Sequence, residues 1–383
     1  MASIETTRKR KSRQKRRAQR RAQQRASAAQ TNGKKKDAAP RKQKSKLREW
    51  VEALVFAVVV MLIVRTLFFD LFRIPTPSME KNLLVGDYLF VSKLHYGTRL
   101  PMGLCVPFTD LCVSSVRFPY TRLPGFSSVQ RGDAIVFNWP AEDKPVDRKQ
   151  HYIKRVVGLP GETVTIQSKL VHIDGEPLPL QEGMQQLWDV YKKDQRVRLS
   201  FARLNALGID YVENTANPNR LRVVATSEAA DELRSWPYIQ RVEPSIETRA
   251  DRFNLYPPNQ GYTPDNFGPV TIPKAEQTVT LSPENWLYYE PVIRRYEGHT
   301  TELRQDSTFV IDGQAASTYT FAQDYYFVMG DNRDNSEDSR FWGFVPMDHV
   351  VGKAVLIYFS WDDGGSPPIL GEIRYGRLFS LIH

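Results

Sequence analysis

The chain has 383 residues, of which 41% are hydrophobic and 25% charged, with only two cysteines. That is apolar enough for a large buried core and excludes a wholly disordered chain, and the cysteine count excludes a disulfide-scaffolded mini-domain. The formal net charge is +10, but residues 1–48 hold 19 Lys/Arg and 2 Asp/Glu, so this tail is +17 and the remainder −7. Basicity belongs to the tail and gives no reason to read the folded part as a nucleic-acid binder.

Residues 1–48 lack aromatic residues and nearly lack aliphatic ones, which predicts disorder. A nucleic-acid-binding arm is the alternative, disfavoured because a hydrophobic run follows at once. Trp50 to Phe72 is largely apolar, and Ala53–Val64 is an unbroken apolar stretch of twelve before Arg65 interrupts it. A membrane-spanning helix needs about 20 residues, so 49–72 is expected to span, with Arg65 snorkelling. A cleaved signal peptide fits less well: the basic region is too long and no small-x-small site follows. The positive-inside rule places the tail in the cytoplasm and residues 73–383 on the outer face of a single-pass protein. The tail is also suited to anionic lipid head groups.

Beyond the span the chain reads as β-rich. Tyr88–Val91, Ala134–Phe137, Ile153–Val157, Thr163–Ile166, Tyr326–Met329 and Lys353–Phe359 alternate or are β-branched. Gly86, Gly132, Pro160-Gly161, Asp174-Gly175 and Asp312-Gly313 punctuate them. Only Ser227–Ser235 suggests an amphipathic helix. Cys105 and Cys112 sit in a loop-like stretch; a disulfide closing that loop is one reading, two unpaired thiols the other. Cys-x6-Cys without nearby histidines is a poor zinc site, and no metal or other cofactor is expected.

Three stretches carry chemistry. Arg73-Ile74-Pro75-Thr76-Pro77-Ser78-Met79 offers a serine within a few residues of the span. Tyr152-Ile153-Lys154-Arg155-Val156-Val157 places a lysine in an apolar, β-branched run. Gly330–Arg340 packs six charges and two serines between hydrophobic stretches. A lysine buried in apolar surroundings loses affinity for its proton and becomes a base that can activate a serine. Six residues separate Phe72 from Ser78, at most about 20 Å of extended chain, so such a serine lies near the membrane surface.

These stretches, with Gly86-Asp87-Tyr88 and Arg131-Gly132-Asp133, resemble in content and order the sequence blocks of bacterial type I signal peptidases. The resemblance covers roughly 73–98, 131–166 and 324–358; most of 167–322 lies outside it. It implies a serine endopeptidase of the cytoplasmic membrane that removes signal peptides from secreted preproteins after a small-x-small site. The lipid bilayer and a secretion translocon would be further partners, and nucleic acid none. It implies Ser78 as nucleophile, Lys154 as general base, and Ser336 orienting the Lys154 amine. The Ser78 backbone N–H and the Thr76 hydroxyl would hold the oxyanion. Phe72, Ile74, Leu83, Tyr152 and Ile153 would line shallow apolar pockets, and Asp331, Arg333, Asp338 and Arg340 would support the site. Pro77 departs from the glycine usual before the nucleophile; it fixes φ, removes an N–H and pushes Thr76 into extended backbone.

The expectation is thus a mainly β fold with one N-terminal transmembrane helix. After the tail (1–48) and span (49–72), a β-rich catalytic domain (73–166 and 323–361) is interrupted by a large inserted second domain (167–322), and 362–383 form a C-terminal tail. Other readings fit worse. Ser78-x-x-Lys81 matches penicillin-binding enzymes, but no Lys-Thr-Gly follows. An EF-hand loop starting at Asp334 would put Ser339 and Val345 where Gly and Glu belong. Self-cleaving repressors share a Ser/Lys dyad but have no span. The alternative from another class is a non-catalytic membrane-tethered β-domain with a vestigial dyad.

Overall fold

The computed structural model describes residues 15–25, 45–105, 112–362 and 372–382, with the side chains of 104–105 and 112–116 left aside. Residues 15–25 of the tail form a fully exposed helix where disorder was expected. The stretch is built of Lys, Arg, Ala and Gln, all strong helix formers, so local propensity suffices without a core. The rest of the tail lies outside the described residues.

The apolar run forms the helix Lys46–Leu67, 22 residues long. It is long and apolar enough to cross a membrane, and none of its residues is buried. A helix that is apolar around its circumference and exposed over most of its length suits a lipid environment. The expected span to Phe72 is shortened. Phe69–Arg73 turns into a strand paired antiparallel with Asp87–Ser92, because its backbone gains a ladder there. Arg65 is neutralised by Asp70, with Nε 2.8 Å from Oδ1. The Lys93 ammonium donates to the Arg65 carbonyl at 2.8 Å.

Residues 61–383 form one compact unit. Its main sheet is eight-stranded and antiparallel. The order is Phe69–Arg73, Asp87–Ser92, Val350–Ser360, Ala134–Asn138, His151–Gly158, Tyr325–Met329 and Val345–Pro346, with Ser380–Leu381 also pairing Val350–Ser360. All six sequence-predicted strands are present, each extended by one to three residues at an end where the ladder continues. Ile74, Met79, Leu83, Leu89, Val91, Val136, Ala354 and Ile357 fill one core cluster of this sheet. Ile135, Phe137, Val156, Val328, Trp342 and Val350 fill a second. The alternation of 135 and 137 against 134 and 136 follows from the period-two pleat.

Between Thr163 and Thr320 the chain builds further sheets. Phe267–Thr271, Thr163–Gln167, Leu170–Ile173 and Glu176–Leu178 form one. It shares a hydrophobic cluster with Phe327 and Phe344 beside the main sheet. Val212–Asn214, Arg220–Thr226, Gln185–Lys192 and Ile239–Pro244 form another, around its own core of Trp188, Val190, Leu204, Val223, Leu233 and Ile239. The hairpin at Asp174-Gly175 has φ of +52° and +88°, the positive-φ pair that a two-residue turn requires.

Ser227–Ser235 is helical as expected, with the Thr226 hydroxyl accepting from the Ala229 N–H at 3.3 Å. One expectation is overturned. A 13-residue amphipathic helix, Pro283–Arg295, lies outside the span and buries Trp286, Tyr289, Val292 and Ile293. Its interior Pro291 hides it in the sequence, and its capping box uses Asn285 in place of Glu or Gln.

Candidate active site

Ser78 is positioned by the strand that precedes it. The Ile74 N–H donates to the Asp87 carbonyl at 2.8 Å, and the Gly86 N–H donates to Ile74 at 3.0 Å, so the ladder runs on to Ile74. Thr76 is extended (φ −130°, ψ 152°), as a residue before proline must be. Pro77 opens the one-turn 3-10 helix Pro77–Met79, where a missing N–H is harmless. Met79 is fully buried and anchors the turn in the core, while Ser78 is 7% exposed. The Ser78 N–H lies in the first turn, where a helix offers no internal acceptor.

Lys154 comes from the strand His151–Gly158 and pairs in register with Ile135. Its Nζ lies 2.6 Å from Ser78 Oγ, across 76 residues of sequence. The side chain is 4% exposed, and the Tyr152 ring centroid is 5.6 Å from Nζ. Burial pulls its pKa from the ordinary 10.5 down to about 8, against the opposing pull of Asp338, Asp331 and Glu337. The Thr76 hydroxyl is 3.5 Å from Ser78 Oγ and exposed.

The 330–340 loop clamps both groups. The Asn332 N–H donates to the Ser78 carbonyl at 3.1 Å, and Asn332 Nδ2 donates to the Pro77 carbonyl at 3.2 Å. Gly330 passes so close that an added Cβ would stand 2.5 Å from both Ser336 Cβ and the Ser78 carbonyl oxygen. Asp331 is held by Arg155 in a bidentate, buried pair at 2.8 and 2.7 Å, and Asn82 Nδ2 donates to it at 2.8 Å. Asp338 pairs with Arg340 at 2.9 Å through both oxygens and accepts from the Gly330 N–H. Burial works to raise the Asp338 pKa, but Arg340, together with Gly330 and Ser336, outweighs it and holds the carboxyl below its ordinary value.

Other expected residues fall differently. Arg333 makes no ion pair among the described residues; its guanidinium meets Met184 Sδ at 3.1 Å. Burial, with Arg340 nearby, brings its pKa down to about 10. Ser336 is buried beside the dyad, but its hydroxyl makes no hydrogen bond here, to Lys154 or otherwise. It lies close enough to Asp338 to favour that carboxylate without meeting hydrogen-bond geometry. Leu83 is not among the residues lining the cleft beside the dyad; it is fully buried in the core with Met79. Lys81 points away from the serine and pairs with Asp210 at 2.5 Å. The backbones of Cys105 and Cys112 face each other across a hairpin, while the joining of their thiols lies outside the described side chains. Arg155, Asn82, Asn332 and Gly330 were not anticipated. Only the Lys154-Arg155 adjacency hinted at the first, since its partner is 176 residues away.

A cleft of about 450 Å³ runs up to the dyad. Phe72, Ile74, Leu89, Val136, Tyr152 and Ile153 form its apolar walls, and Ser78 with Lys154 closes one end. The Phe69–Arg73 strand is at the sheet's edge, and Tyr325–Met329 pairs its neighbour only from Arg155 onward. His151–Lys154 thus present an open edge across the cleft from Phe72–Pro77. Among the described residues no cluster of His, Cys, Asp or Glu could hold a metal ion.

Residues 47–239 and 270–361 match the family model described as signal peptidase, peptidase S26. The Signal peptidase I of Haemophilus influenzae is 27% identical over 341 residues, covering 88% of this chain and 76% of the relative. That of Pseudomonas aeruginosa is 26% identical over 327 residues, with 83% and 74% covered. That of Aquifex aeolicus is 24% identical over 314 residues, with 82% and 85% covered.

Proposed function

The chain belongs to the signal peptidase family, peptidase S26, and on that premise we propose that it cleaves signal peptides from secreted preproteins after a small-x-small site, with Ser78 and Lys154 as its catalytic dyad. The observation that carries this reading is the 2.6 Å approach of a buried, weakly basic Lys154 to Ser78 at the closed end of an apolar cleft.

A lysine at its ordinary pKa is almost wholly protonated near neutrality and cannot accept a proton. At about 8, its neutral fraction at pH 7 rises roughly 300-fold. The neutral Nζ takes the Ser78 proton as Oγ attacks the scissile carbonyl carbon. The Ser78 N–H and the Thr76 hydroxyl donate to the oxyanion as it forms. The Lys154 ammonium then gives its proton to the departing amine, which leaves an acyl ester on Ser78. Water enters, Lys154 removes its proton as the oxygen adds to the ester carbon, and the ammonium returns that proton to Ser78 Oγ as the ester bond breaks. Ser336, which lies against Gly330 as the Ser78 carbonyl does, orients the amine once its hydroxyl turns to Nζ.

The substrate binds as an added extended strand between Phe72–Pro77 and the open edge at His151–Lys154. The apolar walls at Ile74, Tyr152 and Ile153 accept the small side chains before the scissile bond. The Lys46–Leu67 helix anchors the enzyme in the bacterial cytoplasmic membrane. The +17 tail stays cytoplasmic and residues beyond the helix face outward. The strands between 167 and 322 act as an inserted second domain of the catalytic unit, and the translocon is the source of substrate.

The test is direct. Detergent-solubilised enzyme is incubated with a preprotein, and the new N-terminus is identified by mass spectrometry. Cleavage after a small-x-small site is expected, with none from a folded Ser78→Ala variant. Processing by Ser78→Ala at near the wild-type rate would overturn the dyad.

A further inference from the structure

A second depression, of about 340 Å³, lies on the other side of the nucleophile. The first cleft is lined by the residues leading up to Ser78, the second by Glu80 and Lys81 just after it, and Asn335 borders both. The two depressions therefore meet at Asn335, on either side of the Ser78–Lys81 segment. The far wall of the second is supplied by Asp210 and Tyr211, just before the strand Val212–Asn214, and by Glu213 and Val224 of the second sheet, all within the stretch that matches the family model.

The chemistry of this depression is one-sided. Glu80, Asp210, Glu213 and Asp334 face it with Lys81 as the one cation of its lining. Lys81 is engaged by Asp210, and from behind Arg222 pairs with Glu213 and Lys169 with Asp334. Independently of these charges, two lining side chains hold acceptors with nothing to accept. Gln185 Oε1 and Asn332 Oδ1 have no hydrogen-bond partner, and the residues are 3% and 4% exposed. A buried, unsatisfied acceptor is costly, and both residues belong to the lining of the depression. Asn332 is also the residue that grips the Ser78 turn.

Resting on the proposed cleavage reaction, we infer that this second depression is a specificity site for the segment following the scissile bond, and that it favours a basic residue there and rejects an acidic one. The signal-peptide side fills the apolar cleft, so the polypeptide must leave past Asn335. Glu80 and Lys81 are two and three residues from Ser78, at most about 10 Å of extended chain. An extended substrate reaches that far with its first three residues. Its backbone N–H groups and a Lys or Arg side chain would supply the donors that Gln185 and Asn332 lack.

The test uses three peptides identical through the scissile bond, with Lys, Ala or Glu as the third residue after it, and the full-length enzyme in detergent. At low salt kcat/KM is expected to favour Lys over Glu by about tenfold, shrinking near 1 M salt as the charges are screened. The double variant Asp210→Asn, Glu213→Gln alters two solvent-facing residues remote from the dyad. It should cleave the Ala peptide as wild type does, while its Lys preference falls to under about threefold or inverts as Lys81 is released. Equal wild-type rates on all three peptides would overturn this inference and leave the cleavage reaction standing. Cleavage of none would overturn both. An unaltered Lys preference in the double variant would place the selectivity elsewhere and overturn the assignment.

Discussion

If Lys154 is the base, the acid limb of the pH–rate profile belongs to it. Its side chain is 4% exposed, and burial has brought its pKa from 10.5 to about 8. Protonation removes the base, so kcat/KM should level off above about pH 9, stand at about half the plateau near pH 8 and fall about tenfold per unit below about pH 7, to roughly 1% of the plateau at pH 6. The assay is cleavage of a peptide without titrating side chains, in detergent, from pH 5.5 to 9.5. Glu337 borders the cleft and favours the ammonium form. Glu337→Gln withdraws a negative charge, so the limb should move to lower pH by a few tenths of a unit. Lys154→Ala should lose about 10³-fold in kcat/KM, while Lys81→Ala, whose ammonium is occupied by Asp210, should keep both rate and limb. The same depression acts on stability. Lys154 is harder to protonate folded than unfolded, so its contribution is full above pH 10.5 and is lost as pH falls through about 8. That amounts to about 3 kcal/mol, and Lys154→Met should abolish the dependence in that window. A wild-type rate that stays flat from pH 6 to 9, or a dead Lys81→Ala beside an active Lys154→Ala, would refute the reasoning.

Three further outcomes are expected. Gly330→Ala forces a methyl against Ser336 and the Ser78 carbonyl; it should cost about 1–3 kcal/mol in thermal-shift or denaturant measurements, and activity should fall with it. Arg155→Met leaves Asp331 buried without its bidentate partner, for a loss of about 3–5 kcal/mol; unfolding at a wild-type midpoint would contradict the role given to that pair. Deleting residues 1–44 should leave kcat/KM on a soluble peptide unchanged in detergent, because the proposed topology puts the tail across the membrane from Ser78; a properly inserted but inactive truncation would count against this.

Much of the molecule was legible before any coordinates. The apolar run at 50–72, the period-two strands and the turn at Asp174-Gly175 are local signals, set by residues within a few positions of one another. Ser78 and Lys154 could be singled out because the blocks around them resemble, in content and order, those of bacterial type I signal peptidases; on its apolar strand alone, Lys154 reads as an ordinary strand lysine. Tertiary structure decided the rest. The helix stops at Leu67 because Phe69–Arg73 finds a ladder on Asp87–Ser92, a partner that hydropathy cannot see. Leu83 goes under the site because Met79 and Ile74 close over it. Asp331 takes Arg155 for its partner, while Arg333 is left beside a methionine. Pairing between charges is chosen by where strands bring them, and several side chains of the right sign stood equally available in the sequence. Above all, a lysine becomes a base only when its surroundings exclude water. That exclusion is assembled from the turn at 77–79, the strand at 151–158 and the loop at 330–340, three segments that meet only in the fold.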